Sequence, residues 1–175
     1  MSKKILLIFI ITCLCSCRME DDVHAIWFDN NSCDSIWIYM AMSFYGHTPT
    51  AYPDTLLPHE DCVEYRESQY DDFISSYIPI VPPNSKGWIW DAIGSPDIYF
   101  HRILPFDTLS VFVISNDSIK KYGYDNIAKS NNILVRYDLS IPDMKSLGYI
   151  FPYPPSPQMK DMKMYPPFEE IISAQ

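Results

Sequence analysis

The densest run of titratable side chains is His59–Asp72, HEDCVEYRESQYDD. Two carboxylates held about 5–10 Å apart can hydrolyse a glycosidic bond, one as acid and one as base or nucleophile. Glu60 to Asp72 supplies such carboxylates, and the same run suits a solvated acidic face equally well. The histidines are His24, His47, His59 and His101. They are scattered, with no H-x-H or H-E-x-x-H spacing, so surface or packing roles are expected for them. There is no G-x-S-x-G nucleophile elbow, no glycine-rich phosphate loop and no D-x-[DN]-x-[DN]-G calcium loop. Hence no cofactor, no metal and no catalytic residue is assigned, and the single enzymatic alternative is a small hydrolase using acids of the Glu60–Asp72 region.

Two other groupings point to binding or to structure. In GWIWD, Gly87–Asp91, strand alternation would turn Trp88 and Trp90 to one side. Two neighbouring indoles make a stacking platform for sugar rings or a protein hot spot; the alternative is that they fill the core or cover a sheet edge. In RYDLS, Arg136 and Asp138 lie two apart on an expected strand and share a face. Arg136 then pairs with Asp138 or Asp143, as a clamp between strand and helix or as an anion anchor.

The cysteines Cys13, Cys15 and Cys17 alternate, which invites a metal reading, yet zinc needs a second pair of ligands at a distance and none follows. Lys3 and Lys4 precede an apolar run, Ile5–Cys15, broken only by Thr12. That layout is a secretory signal, and it is shorter than the ~20 residues of a spanning helix. Its end, Leu14-Cys15-Ser16-Cys17, resembles the bacterial lipobox. By that resemblance residues 1–16 are a cleaved signal peptide and Cys17 becomes the lipidated first residue, carrying palmitate-type acyl chains. Several acyl chains anchor firmly, at ~0.8 kcal/mol per buried methylene. Residues 17–22 form an acidic spacer. Arg18 stands in the second place, where Asp would suggest inner-membrane retention, and Glu20-Asp21-Asp22 resembles the acidic signal of surface-directed lipoproteins. The expected location is the outer membrane, facing either the cell exterior or the periplasm.

Loss of residues 1–16 would remove Lys3 and Lys4 alone, leaving 11 basic against 22 acidic residues, a net charge of −11. Nucleic-acid binding, which relies on Lys and Arg neutralising phosphates, is excluded on that balance. Cys33 and Cys62 remain in the exported part, and an even pair outside the cytoplasm allows a disulfide closing a loop of about 30 residues, worth ~3 kcal/mol. Two buried free thiols are the alternative.

With 15 prolines against 5 glycines, long helices are disfavoured and short, proline-bounded strands are favoured. Strands are expected at Val23–Phe28, Ser35–Ser43, Cys62–Tyr65, Ile78–Val81, Gly87–Trp90, Asp97–Leu104, Thr108–Ser115, Ile133–Tyr137 and Tyr149–Tyr153. Ser35–Ser43, SIWIYMAMS, is apolar on both alternating sides and reads as a strand buried on both faces. Asp117 is expected to cap a helix over Ser118–Tyr122 that stops at Gly123, with another turn or two over Asp125–Lys129. Ser140-Ile141-Pro142-Asp143 carries a cap serine, an early proline and an acid three on, predicting a helix to Leu147 and a stop at Gly148. Pro154–Gln175 contains five prolines and reads as an extended tail.

The stretch ILVRYDLSIPDMKSLGYIFPYP, within Ile133–Pro154, resembles the C-terminal motif of small uncharacterised Bacteroidetes-type lipoproteins, roughly ILxRYDLSxxDLxxLxWxIxYP. Ile133, Leu134, Arg136–Ser140, Asp143, Leu147, Tyr153 and Pro154 match. Met144 stands in place of the usual Leu and Tyr149 in place of the usual Trp. The resemblance implies a lipoprotein and a single fold, and no activity.

The expected fold is one mainly β domain over residues 23–153, a sandwich-like antiparallel sheet with two or three short helices covering one end. A layered α+β domain is the alternative, with Thr108–Ser115 and Ile133–Tyr137 paired in parallel. The expected function is a non-enzymatic binding or accessory module of the bacterial envelope. Its partners would be the membrane, through Cys17, and a glycan or an envelope protein.

Overall fold

The computed structural model describes residues 23–41, 56–57, 80–93 and 96–173. Cys17 and the expected signal segment, His47, His59, Cys62 with the expected strand Cys62–Tyr65, and the Glu60–Asp72 acids therefore lie outside the described residues.

Eight strands among these residues form two sheets. The small sheet has the order β4-β1-β7, with β1 Val23–Asn30, β4 Ser85–Ile93 and β7 Ile150–Tyr153. The large sheet has the order β3-β2-β5-β6-β8, with β2 Ile36–Ala41, β3 Ile80–Val81, β5 Thr108–Ser115, β6 Val135–Ser140 and β8 Lys163–Tyr165. Pairing is antiparallel throughout the large sheet and between β1 and β4; β1 and β7 run parallel. The mainly β expectation holds. The parallel alternative for Thr108–Ser115 and Ile133–Tyr137 does not, since Thr108 pairs with Ser140 and Val113 with Val135 in antiparallel register.

Strand alternation assigns the layers. Ile36, Ile38, Leu109, Val111, Val113, Val135, Tyr137 and Leu139 point from the large sheet into one core, where they meet Ile26, Phe28, Ile89 and Phe151 of the small sheet. Burying each such side chain contributes about 1.5–3 kcal/mol. Phe28 and Tyr137 stack across the two sheets with ring centroids 6.5 Å apart. The Tyr137 hydroxyl donates to the Pro152 carbonyl at 2.9 Å, pinning β6 to β7.

The opposite side of the large sheet is also apolar, through Tyr39, Ala41, Phe112 and Ile114. A sheet buried on both sides needs a second cover. The helices α2 Asn116–Tyr122 and α3 Tyr124–Ser130 supply it with Ile127 and Ala128, so they lie on this face instead of capping an end as expected. Ser115 is the N-cap of α2 in place of the expected Asp117, and the stop at Gly123 holds. A helix α4, Ile141–Ser146, opens on the full Ser140/Asp143 capping box.

Two further expectations are corrected. Asp97–Leu104 is not a strand but part of helix α1, Pro96–Ile103. Proline at the first position, Asp97 in the first turn and His101 and Arg102 in the last are helix-end signals that outweigh the strand-favouring Ile98, Tyr99 and Phe100. Residues 154–173, the described part of the expected tail, are not extended throughout. Met159 is fully buried, β8 pairs with β6, and α5, Phe168–Ser173, buries Ile171. The prolines bound these short elements and do not prevent them.

The two ends of the sandwich differ. At one, Asn30 and Ser85 meet the start of β2 and the end of β3; the Asn30 amide donates to the carbonyls of Asp34, Val81 and Pro82. At the other, the Val23/Ile93 pair ends the small sheet and the Thr108/Ser140 pair ends the β5–β6 ladder. Helix α1 connects the two there, and Lys145 of α4 binds Asp97 of α1 at 2.9 Å.

Candidate functional site

Cross-strand partners share a face of a sheet. Trp27 pairs with Trp88, and Ile26 pairs with Trp90, because a β-bulge at this point inserts Ile89 into β4. Ile26 and Trp27 are neighbours on β1 and face opposite ways, so their partners do too. Ile26 is fully buried, and Trp90 packs against the same core. Trp88 instead joins Trp27 on the outer face of the small sheet, both half-buried. The expected Trp88–Trp90 platform is thus split by one extra residue. A different indole pair, Trp27–Trp88, takes its place, and simple alternation in sequence could not have revealed it.

This outer face has polar neighbours. The Lys86 ammonium sits 5.3 Å from the Trp27 ring centroid, a cation–π contact. Asp29 is the cross-strand partner of Lys86, and Ile150 of β7 flanks Trp27 on the other side. Three strands therefore present two indoles, an ammonium and a carboxylate on one rigid surface.

Arg136 and Asp138 do share a face and pair with each other, while Asp143 is taken by the Ser140 cap and does not reach Arg136. Asp138 also accepts from the Ser110 hydroxyl at 2.6 Å, linking β5 and β6. The Arg136 guanidinium lies 6.0 Å from the Tyr165 ring centroid on β8. All three polar side chains are buried, at 0% for Ser110, 7% for Arg136 and 3% for Asp138. Each charge is spent on a neighbour inside the fold, which is the geometry of a clamp and not of an anion site open to solvent.

A third polar group joins α1 to α4. Asp97 accepts from Lys145 and, at 3.1 Å, from the Tyr149 hydroxyl. The Lys145 and Tyr149 hydrogen bonds hold its carboxyl below the ordinary 3.8. Burial, and then the bond to Asp97, pushes Tyr149 up to about 12. Nearby, His101 Nδ1 lies 2.7 Å from Asp107, both exposed.

Among the described residues no three His, Cys, Asp or Glu side chains gather closely enough to hold a metal ion, and no helix is long and apolar enough to cross a membrane. Cys33 is exposed with a free thiol on the turn after β1, and its expected partner Cys62 lies outside the described residues. Of the candidate acids none in Glu60–Asp72 is described. Comparison with protein-family models, with curated proteins and with solved structures gives no match for this chain.

Proposed function

We propose that this chain is a lipid-anchored binding module of the bacterial envelope, held to the outer membrane through Cys17, with the outer face of its small sheet as the ligand surface. The observation that carries the binding half is the Trp27–Trp88 cross-strand pair with Lys86 over one ring. Indoles on a rigid strand scaffold offer flat apolar area at little entropic cost, and the C–H faces of sugar rings stack on such area. Lys86 and Asp29 beside them provide a donor and an acceptor for ring hydroxyls. A glycan is therefore the preferred ligand class over an envelope protein.

The anchoring half is supported by the apolar run Ile5–Cys15 and the cysteine that ends it. The resemblance of Ile133–Pro154 to small Bacteroidetes-type lipoproteins is consistent with it.

Both halves are testable separately. Cys17→Ala should shift the protein from the membrane fraction to the soluble fraction and abolish acyl labelling. For the ligand face, intrinsic tryptophan fluorescence is followed while soluble oligosaccharides, amino-sugar oligomers included, are titrated in. Trp27→Ala and Trp88→Ala should each weaken binding about tenfold or more, a loss of ~1.4 kcal/mol. Undiminished binding in both variants removes this face as the site; absence of binding to any sugar of the panel turns the assignment to a protein partner.

A further inference from the structure

We propose that the α1 end of the sandwich is a membrane-facing surface, with Ile98 and Phe106 seated in the interface of the bilayer that holds the anchor; this rests on the lipid-anchored reading of Cys17. The argument begins with the length of the tether. From Cys17 to Val23, where β1 begins, the chain makes six steps, which span about 20 Å at full extension. Val23 pairs with Ile93, so the end of the small sheet that carries this pair stays within that reach of the lipid.

Helix α1 begins three residues after Ile93 and is about 12 Å long, so it occupies the same end. Its inner side buries Pro96 and Phe100. Its outer side would ordinarily be polar throughout, yet Ile98 stands there, 61% exposed, one turn before Arg102. Beyond the helix, Phe106 is 78% exposed. It and Asp107 both take left-handed backbone, with φ 53° and 52°. That conformation is unfavourable for a residue with a Cβ and is held here by specific bonds. The Thr108 hydroxyl donates to the Phe106 carbonyl at 2.9 Å, and Asp107 meets His101 of α1 at 2.7 Å. The turn thus presents a phenyl ring outward from a fixed base.

A large aromatic and a branched aliphatic held out of the core at the tethered end are side chains suited to the headgroup–acyl boundary, and Arg102 is placed to meet lipid phosphates. The occupant follows from position. The bilayer is kept beside this end by the anchor at high effective concentration, so even two side chains suffice to orient the domain. The Trp27–Trp88 face, on the side of the sandwich, would then remain free for its ligand.

The test uses the full lipidated chain in zwitterionic phosphatidylcholine vesicles, in a Cys33→Ser, Cys62→Ser background. A polarity-sensitive fluorophore is placed on Phe106→Cys, on Ile98→Cys, or on Asn31→Cys at the far end, and flotation of the vesicles is scored in the same samples. The expected result is flotation of every variant. Emission should be blue-shifted, with several-fold stronger quenching by shallow nitroxide lipids, at positions 98 and 106 but not at 31. The Ile98 site, on a helix, keeps the test valid if substitution at the left-handed Phe106 disturbs the turn. Variants that float but show no quenching at 98 or 106, or equal quenching at 31, overturn the membrane-facing surface while leaving the anchor intact. Variants that do not float overturn the anchor, and this inference with it.

Discussion

Arg136 and Asp138, two residues apart on β6, close an ion pair of 3.2 Å with side chains only 9% and 2% exposed. Such a pair is sensitive to losing one partner. Asp138→Ala should cost about 3–5 kcal/mol, because it leaves the guanidinium buried without its carboxylate and the Ser110 hydroxyl without its acceptor. Replacing both charges, Arg136→Met with Asp138→Leu, should cost less than the single change. Urea denaturation of the variants gives the comparison; equal losses would mean the pair is not coupled.

Asn30 is fully buried and its amide faces three carbonyls, of Asp34, Val81 and Pro82, at 2.8–3.0 Å. Its carbonyl oxygen accepts from Ser32 through backbone N–H and hydroxyl. Asn30→Asp turns a donor into a charged acceptor among acceptors and should destabilise by about 3–5 kcal/mol at neutral pH. The penalty should shrink on acidification, since a protonated carboxyl can donate again. A destabilisation that does not change between neutral and acid pH would argue against this account.

Gly87 is required by close approach. A Cβ built there would lie 2.7 Å from Val81 Cγ2, where β4 passes β3. Gly87→Ala should cost about 1–3 kcal/mol through overpacking of that fully buried valine. Adding Val81→Ala opens the space, so the double variant should be more stable than the sum of the two single losses predicts. Thermal melts of all four proteins decide it.

The Asp97–Tyr149 contact predicts opposite limbs of a pH profile. Asp97 is held below its ordinary value, so its contribution is complete above pH ~4 and is lost as pH falls through the lowered folded value. Tyr149 is raised from 10.0 to about 12, so its contribution is complete below pH ~10 and fades as pH climbs towards 12. Asp97→Asn should flatten the acid limb. Tyr149→Phe should delete one late-titrating phenol from the ultraviolet titration; an unchanged alkaline limb would assign that phenol elsewhere.

Much of the fold was legible because local signals agreed with tertiary need. The two-sided apolar strand at Ile36–Ala41, the Ser140 capping box and the stops at Gly123 and Gly148 were each set by a few adjacent residues. What escaped depended on distant chain. A proline-rich segment became β8 because Arg136, Tyr137 and Asp138 offered an unpaired strand edge to Tyr165, Met164 and Lys163. The Trp pair was misassigned because a bulge is a property of two strands, and no spacing within GWIWD announces it. The side that Arg136 and Asp138 share was readable from their separation; that their charges are used up inside the fold was not, since Ser110 lies 28 residues away.

The position of β1 has a mechanical consequence. It is the first strand among the described residues, and it is central in its sheet, with β4 along one side and β7 along the other. A pull from the N-terminal side, of the kind the proposed anchor at Cys17 would transmit, would act along β1 and load both ladders in shear, so many backbone hydrogen bonds would have to yield together. An edge strand in that place would have one ladder to share the load instead of two. The partner β7 is also contributed from the far part of the domain, so resistance to such a pull is complete only after almost the whole chain has folded onto its own beginning.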